Sequence, residues 1–577
     1  MPPTSAFIDV EQVSKRYRNQ RVLSNVTLRL GPRQKGALVG SNGVGKSTLL
    51  RLIAGVERPN AGSVNMPSGA LVGYLPQEVP VRGEESVDGY LRRVTGIDEV
   101  HRRMDELAAD LGTGGRMDAY AETHTQFECL GGYDFERRVR IVLAGFGLRD
   151  VDAARSLQSL SGGQRSKVAL GGILLKGVDV LLLDEPTNNL DLPALLWLEN
   201  FLIQSTATIL LVSHDRRLID RVASKVFEID WHTREATTYG GGYSDFLELK
   251  SQELRRQKEL FRRQQEEIVR LSDSVRQNKQ WAEMGAVQQG SDHDKMGRDF
   301  SRERSAGLAK RSKSIEKRLD QMELVDQPAE RQPLELHLAP AGQQQATDAS
   351  LDAQNDKRGE LIRLEGVRIG YPRGFSLGPI DLAAEAGMRV GILGPNGSGK
   401  STLLKVLTGQ LEPLVGTVSI GKGLIFGNLM QAHENLPRAT TPLWFLQTQT
   451  DLDEGGALEL LRSFQLHPLD VGKPIHDVSP GVRTRLLLAY FSTIRANVLV
   501  LDEPTNNLDL EAIQALEEAL VSYAGMALIV SHDRQFLDHV ALSHCFLLQD
   551  GHFERIPSFA SYVADVDVRA KKLLTRL

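Results

Sequence analysis

Cysteine is scarce in this sequence. Its 577 residues include two, Cys129 and Cys545, which lie far apart in the chain. Two distant cysteines exclude a disulfide framework or a zinc site built on paired cysteines, and they are typical of a reducing compartment. A chain of this length with 41% hydrophobic residues can bury ample cores without such cross-links.

Long apolar runs are also missing. The longest, such as 180–183 and 209–212, have the length of a strand, whereas a membrane span needs about 18 or more residues. The opening MPPTSAFIDVEQV has no basic segment followed by an apolar stretch, so we expect no secretory signal. These absences predict a cytoplasmic protein with no membrane span in this chain.

Charge is unevenly distributed along the chain. The net charge is −5, but residues 250–321 contain 18 Lys and Arg against 12 Asp and Glu. Because this segment carries +6, the remainder of the chain carries −11. A local basic element on an acidic body favours contact with a polyanion, although a charged spacer that is simply solvated remains the alternative.

An internal repeat organises the sequence. GSNGVGKST at 40–48 recurs as GPNGSGKST at 394–402, LLLDEPTNNLDL recurs as LVLDEPTNNLDL, and VSHDR occurs twice. The spacings agree as well, except that the first copy has 36 more residues between Gln77 and Ser161 than the second has between Gln431 and Ser479. So long a period indicates a duplicated domain rather than a solenoid.

The additional residues of the first copy have the pattern of an amphipathic helix. Apolar side chains follow a three–four spacing at Ile97, Val100, Met104, Leu107 and Leu111. We interpret this stripe as a face that packs on its own domain.

Heptads mark the segment between the copies. Apolar residues recur every seven positions at Leu247, Leu254, Phe261, Ile268 and Val275, and again at Leu308, Ile315 and Met322. This pattern predicts an antiparallel helical hairpin packed as a coiled coil. We place its tip in the charged stretch 278–305, and we expect the polar stretch 339–358 to be a flexible link.

The two GxxxxGKST motifs are phosphate-binding loops in the right context. Each follows an apolar strand and opens a helix, so that glycines let backbone N–H groups wrap the phosphates at a helix N-terminus. The residues expected to contact nucleotide are Gly40, Asn42, Gly43, Gly45, Lys46, Ser47 and Thr48 in the first copy, and Gly394, Asn396, Gly397, Gly399, Lys400, Ser401 and Thr402 in the second.

An Asp-Glu pair ends a later apolar strand in each copy. Asp184 and Asp502 are placed to hold Mg²⁺ together with the P-loop serines Ser47 and Ser401. Glu185 and Glu503 come next and would activate or orient the attacking water. Adjacent acids could instead be a solvated strand end, but the P-loops upstream favour Mg-ATP hydrolysis.

Further motifs resemble those of the ATP-binding cassette (ABC) superfamily over about 7–246 and 361–556. They are LSGGQR at 160–165, GYLPQ at 73–77, the histidines His214 and His532, and the tyrosines Tyr17 and Tyr371 before the P-loops. The resemblance implies an α/β fold in which two cassettes, each a mixed sheet core with a helical subdomain, form a head-to-tail sandwich within one monomeric chain.

The resemblance also implies the remaining roles. Ser161, Gly162, Gly163 and Gln164 would face the second P-loop, and Ser479 and Gly481 the first. The histidines would contact the γ-phosphate, the tyrosines would stack on adenine, and Gln77 and Gln431 would bind nucleotide and Mg²⁺. The second signature departs from the pattern, since VSPGVR at 478–483 replaces LSGGQR, and we expect its site to be slower.

The combination of features resembles one branch, the ABC-F family. Tandem cassettes, a charged helical linker, an extra helical segment in the first cassette and DEPTNNLD in both copies are similar to these cytosolic ATPases. The resemblance implies that the linker 250–321 contacts ribosomal RNA, and tRNA where it reaches the tRNA site. The segment 291–311 is similar to linkers of the antibiotic-resistance branch; a general translation factor is the alternative.

Two rival functions stay open at this point. An exporter ATPase would need a separate membrane partner at the regions around Gln77 and Gln431, and a DNA-repair ABC protein would show zinc cysteines or much longer coiled coils, so we expect no DNA partner. The predicted layout is a first cassette at 1–246 with an arm-like segment at about 78–136, a linker at 247–335, a flexible segment at 336–360, a second cassette at 361–556 and a C-terminal helix at 557–577.

Overall fold

The structure is a computed structural model of the chain. It describes residues 6–18, 20–76, 84–109, 117–188, 190–287, 295–322, 336, 338, 360–371, 375–430, 436–506 and 508–577. The predicted flexible segment 336–360 lies outside the described residues, apart from residues 336, 338 and 360. Two compact units are present, one of 1–244 with 332–577 and one of 245–331.

In the described part of the first cassette, nine strands form two sheets. They are β1 (Ile8–Tyr17), β2 (Gln20–Leu30), β3 (Lys35–Val39), β4 (Ala61–Asn65), β5 (Val72–Leu75), β6 (Val180–Asp184), β7 (Thr208–Val212), β8 (Lys225–Ile229) and β9 (Ala236–Gly240). The main sheet has the order β5-β6-β7-β3-β8-β9, with β9 antiparallel to its neighbour and the other pairs parallel. Strands β6 and β7 are buried along their whole length, which explains their unbroken apolar runs.

Its helices cover the main sheet and build the helical subdomain. They are α1 (Lys46–Ile53), α2 (Val87–Thr95), α3 (Ile97–Ala109), α4 (Met117–Cys129), α5 (Phe135–Gly145), α6 (Gly162–Leu175), α7 (Leu192–Gln204) and α8 (Arg216–Val222). The predicted apolar stripe lies on α3, where Ile97 and Val100 are buried and where the helix packs against α2 and α4; Leu111 lies outside the described residues.

The second cassette repeats this architecture. Its strands are β10 (Glu360–Gly370), β11 (Ser376–Glu385), β12 (Arg389–Leu393), β13 (Val415–Ile420), β14 (Phe426–Leu429), β15 (Val498–Asp502), β16 (Met526–Val530), β17 (His544–Gln549) and β18 (His552–Ile556). The main sheet, β14-β15-β16-β12-β17-β18, has the order of the first. In each cassette a separate three-stranded antiparallel sheet, β2-β1-β4 or β11-β10-β13, completes the core.

The second set of helices begins after the linker. The linker helices are α9 (Tyr243–Val287) and α10 (Lys295–Asp320), and those of the second cassette are α11 (Lys400–Leu407), α12 (Pro442–Gln449), α13 (Glu454–Ser463), α14 (Pro468–Val471), α15 (Pro480–Thr493), α16 (Leu510–Ser522), α17 (Arg534–Val540) and α18 (Phe559–Leu574). The predicted fold class, two α/β cassettes joined by a helical hairpin, is confirmed. No helix in the described part of the chain is long and apolar enough to span a bilayer.

The hairpin of α9 and α10 is tied by ion pairs between its helices. Lys279 Nζ lies 2.6 Å from Glu316 Oε1, and Arg318 Nη2 lies 2.8 Å from Glu267 Oε1. Glu316 comes before Arg318 on α10, but its partner Lys279 comes after Glu267 on α9. The two helices are therefore antiparallel. Val275 is buried at a predicted heptad position, and residues 288–294 of the predicted tip lie outside the described residues.

The C-terminal helix α18 packs against the first cassette. It lies along α7, and Asn200 of α7 donates from Nδ2 to Asp567 Oδ1 at 2.8 Å. Arg137 of α5 donates to the main-chain carbonyl of Arg576 at 2.6 Å. The last helix of the chain therefore belongs to the contact between the two cassettes.

Candidate nucleotide sites at the cassette interface

Both P-loops have the same geometry at the end of the central strand. Lys46 Nζ donates to the carbonyls of Gly40 and Ser41 at 2.6 and 3.1 Å, and Lys400 Nζ donates to those of Gly394 and Pro395, both at 2.9 Å. The two ammonium groups are buried, and burial lowers the pKa of each. Each cation therefore sits in a loop of backbone groups where anionic phosphates would be favoured.

The glycine before each P-loop helix has no room for a side chain. Gly45 and Gly399 have φ of 109° and 104°, a left-handed conformation that disfavours other residues. A Cβ on Gly399 would lie 2.5 Å from the ring of Phe375. The loop shape thus depends on glycine at this position.

Each P-loop serine contacts the aspartate that ends β6 or β15, two strands away from the P-loop strand in the main sheet. Ser47 Oγ lies 3.1 Å from Asp184 Oδ1, and Ser401 Oγ lies 2.7 Å from Asp502 Oδ2. Burial raises the pKa of both carboxyl groups, and a cation between serine and aspartate would favour their ionised form. Among the described residues no group of three or more His, Cys, Asp and Glu could hold a metal by itself.

The glutamates beside these aspartates have unusual backbone conformations. Glu185 and Glu503 have φ of 50° and 51°, which is uncommon for residues other than glycine and is often found at functional sites. His214 Nε2 lies 3.1 Å from Glu185 Oε1, and His532 Nε2 lies 3.4 Å from Glu503 Oε1. The predicted glutamate and histidine are therefore adjacent in both cassettes.

The second glutamate–histidine pair is mostly buried, with the side chains of Glu503 and His532 10% and 14% exposed. Burial raises the pKa of Glu503 to about 8, and burial followed by repulsion from Lys400 lowers the pKa of His532 to about 3. The Nε2 atom of His532 also lies 3.2 Å from Oδ1 of Asn396 in the P-loop. At neutral pH the histidine is uncharged, which suits a hydrogen-bonding role towards phosphate.

Both signatures place a serine at the start of a helix despite their different sequences. Ser161 caps α6 and accepts from Gln164 N at 3.2 Å, in a capping box with Gln164. Ser479 caps α15 and accepts from Val482 N at 3.4 Å, with Pro480 at the first helical position. Proline is tolerated there because that N–H has no partner within the helix. The sequence change in the second signature therefore leaves the serine cap intact, but it removes the glutamine that completes the capping box in the first.

A cavity of about 550 Å³ joins the two cassettes at the second P-loop. It is lined from the first cassette by Ser161, Gly163 and Gln164, and from the second by Tyr371, Asn396, Gly397, Gly399, Lys400, Ser401, Thr402, Asp502, Glu503 and His532. Its size suits a nucleotide-like ligand. The head-to-tail arrangement thus brings the first signature to the second P-loop. Gln77 and Gln431, the predicted glutamine ligands, lie outside the described residues.

The tyrosine before the first P-loop has partners of its own. Tyr17 is 40% exposed, its hydroxyl donates to Glu57, and Lys15 lies 5.2 Å from its ring centroid. Tyr371 is half exposed and lines the cavity. Both rings are partly exposed, and their stacking on adenine stays a prediction.

Sequence reasoning missed the aspartates at the end of NNLD. Asp191 of the first cassette accepts from the backbone N–H of Asn396 in the second P-loop at 3.0 Å, and Lys167 lies 3.3 Å away. Its counterpart Asp509 accepts instead from Ala512 N at 3.2 Å and from Arg485 at 2.5 Å. The repetition of this aspartate in both copies was the available signal, but its contact across the interface is not encoded locally.

Comparison with known proteins identifies the family. A family model described as ABC transporter matches residues 23–188 and 377–506, and an extension model with the same description matches 229–336. The chain is 34% identical to the tylosin resistance ATP-binding protein TlrC of Streptomyces fradiae, over 94% of this chain and 97% of that protein. It is 30% identical to the energy-dependent translational throttle protein EttA of Escherichia coli K12, over 92% of this chain and 90% of that protein.

The chain belongs to the ABC-F family. Its two cassettes are ABC ATPase domains, which bind and hydrolyse ATP. Among solved structures it is similar to RNase-L inhibitor, with a TM-score of 0.58 at 17% identity, covering 96% of this chain and 93% of that one. It is also similar to an archaeal ribosome recycling factor, with a TM-score of 0.53 at 18% identity, covering 93% of this chain and 87% of that one. At these identities the likeness concerns the tandem-cassette fold alone.

Proposed function

We propose that this ABC-F protein is an Mg-dependent ATPase that binds the ribosome and acts on translation, with protection against ribosome-targeting antibiotics as its role. The observation that carries the enzymatic part is the cavity in which the first signature and the second P-loop line one space. Such a site is complete only when both cassettes are engaged, so ATP would act as the bridge between them.

The chain offers a consistent set of groups for Mg-ATP at each site. The backbone amides of the P-loop and the lysine would bind phosphate oxygens, and Ser401 with Asp502, or Ser47 with Asp184, would hold the ion. Their contacts at 2.7 and 3.1 Å and the raised pKa of the buried aspartates fit a cation at that place. Magnesium when bound would neutralise charge on the β and γ oxygens.

The glutamate and histidine supply the hydrolytic chemistry. In its ionised form Glu503 would orient the attacking water and accept its proton, and the neutral His532 would donate to the γ-phosphate. The P-loop Asn396, held by Asp191 of the other cassette at 3.0 Å, would keep the phosphate site aligned with this pair. Glu185 and His214, 3.1 Å apart, would act in the same way at the first site.

The ribosomal part of the proposal is supported by the linker and by the relatives. Residues 250–321 carry +6, and a basic helical hairpin can bind RNA phosphates and project to a distant site. The name of EttA describes a translational throttle and that of TlrC a tylosin resistance protein. The high mutual coverage with TlrC favours the resistance role, with a general translation factor as the alternative.

One double variant tests ATP hydrolysis and ribosome binding together. Glu185→Gln with Glu503→Gln keeps both side-chain shapes but removes the proton acceptors, so ATP should bind without turnover and the chain should stay on ribosomes. Co-sedimentation with purified ribosomes in ATP is the measurement, with the parental chain and ADP as controls. Unchanged ATP hydrolysis in the double variant would exclude these glutamates, and recovery in the membrane fraction instead of the ribosomal pellet would favour an exporter subunit.

The resistance role has its own test. Expression of the parental chain in a tylosin-sensitive bacterium should raise its tolerance to tylosin or to another ribosome-targeting drug, whereas a drug with a different target should be unaffected. Ribosome binding without any gain of tolerance across such drugs would support the general translation factor.

A further inference from the structure

Among the residues that the structure describes, two buried ion pairs cross the interface between the cassettes. Arg534 of the second cassette donates from Nη2 to Glu199 Oε2 of the first at 2.5 Å. Arg216 of the first cassette donates from Nη1 to Glu517 Oε2 of the second at 3.1 Å. All four side chains are at most 4% exposed, so both pairs are shielded from solvent.

The two pairs occupy equivalent places in the repeat. Each arginine is the last residue of VSHDR, two positions after His214 or His532. Each glutamate lies on the helix that follows NNLD, α7 or α16, eight residues after Asp191 or Asp509. One helix thus contacts the opposite site twice, as Asp191 holds Asn396 and Glu199 holds the arginine beside His532.

These pairs are poor candidates for simple adhesion. Burying an ion pair costs desolvation that its attraction often fails to offset, particularly when hydrogen-bonding capacity is left unfilled. Arg216 Nε and Nη2, Arg534 Nε and Glu517 Oε1 have no hydrogen-bond partner. Further charged groups stand close by, since Asp215 Oδ2 lies 3.6 Å from Arg534 Nη2 and Arg221 of the first cassette pairs with Glu199. Charged groups at this place are better explained by a role in positioning neighbouring residues than by a contribution to the stability of the interface.

We propose that Glu199 and Glu517 are positioning residues that act in trans on ATP hydrolysis. Glu199, through Arg534, sets the place of His532 at the second site, and Glu517, through Arg216, sets that of His214 at the first. Each histidine then lies correctly beside the hydrolytic glutamate of its own site, Glu503 or Glu185, only when the opposite cassette is docked. The inference rests on the proposed ATP hydrolysis and adds the residues that make each site depend on its neighbour.

The repeat supplies a matched control for the test. In a Glu185→Gln background the first site is silent, and single-turnover release of phosphate reports the second. Glu199→Gln, which keeps the shape of the side chain, should slow this phase by about 10- to 100-fold, as small displacements of reacting groups do. Glu517→Gln should slow it less. In a Glu503→Gln background the order should reverse.

The reversal of the order of losses between the two backgrounds distinguishes a positioning role from a structural one. A contact that merely holds the cassettes together would give the same order of losses in both backgrounds, and that result would overturn the proposal. Arg534→Lys provides a second variant, which should match Glu199→Gln and add little when the two are combined. Retention of a fluorescent ATP analogue and the midpoint of thermal unfolding show that each variant is folded and binds nucleotide. Absence of phosphate release from the parental chain would instead contradict the proposed ATPase itself.

Discussion

Replacing Glu503 by Gln should make the chain more stable as well as inactive at the second site. The carboxyl group is mostly buried, and burial raises its pKa from an ordinary 4.5 to about 8. Because this folded-state pKa is raised, its contribution to stability is present below pH 4.5 and is lost as pH rises through 8. A neutral Gln of the same shape avoids that loss.

The magnitude follows from the protonation equilibrium. At pH 7.5 the raised pKa makes the ligand-free folded chain less stable by an amount on the order of 4 kcal/mol, since each tenfold change in protonation is worth about 1.4 kcal/mol. Gln itself has an amide to satisfy, so roughly half of this should be recovered. A gain of that size corresponds to about 4–8 °C in the unfolding midpoint of a cassette-sized domain.

Thermal unfolding across pH is the assay. The midpoint of the Glu503→Gln variant should exceed that of the parent clearly at pH 8 and much less at pH 5, without nucleotide. Glu518→Gln, an exposed substitution in the same cassette, should leave the midpoint within about 1 °C of the parent. Phosphate release from the second site should fall by about 10²–10⁴-fold. A gain that is equal at both pH values, or a loss of stability, would refute the reasoning.

Three further outcomes are expected. In the single variants, Glu185→Gln should lower steady-state turnover less than Glu503→Gln, because the first site uses the VSPGVR signature; equal losses of kcat would count against unequal sites. Gly399→Ala should abolish nucleotide binding at the second site, since φ is 104° and the new Cβ would lie 2.5 Å from Phe375; normal binding of a fluorescent ATP analogue would contradict this. Changing the linker cations Arg298, Arg302, Arg304, Lys310 and Arg311 to Gln should weaken ribosome binding and its salt dependence but spare basal ATP hydrolysis. The matched control changes Arg255, Arg256, Lys258, Arg262 and Arg263 on α9, and equal effects of the two sets would leave the tip without a special role.

The family, the fold class and the phosphate-binding elements could be predicted because they depend on local pattern. A P-loop requires a strand, glycines and a helix start within a few residues, and NNLD or LSGGQR is equally compact. The structure brings Lys400, Ser401, Asp502, Glu503 and His532 to one cavity, as these motifs suggested. That they contact ATP stays a prediction, as do the boundaries between the predicted domains.

The features of the site that could not be predicted depend on contacts between the two copies. Glu199 has the appearance of an ordinary charged residue in an apolar helix, and nothing near it in sequence indicates that Arg534, 335 residues away, is its partner. The second signature also did not reveal that Pro480, at the first helical position, leaves Ser479 as the cap of its helix; the slower turnover expected of that site stays a prediction.

The repeat also contains a difference that no motif shows. At the position six residues after the signature serine, the first copy has Lys167 and the second has Arg485. Arg485 holds Asp509 at 2.5 Å, where the aspartate also caps its own helix, whereas Asp191 leaves its helix uncapped and accepts from Asn396 in the other cassette. A planar guanidinium fixes a carboxylate more firmly than an ammonium does. Two sites built from almost identical motifs can therefore differ in how tightly the opposite cassette is engaged, and the single-site variants of Glu185 and Glu503 measure that difference directly.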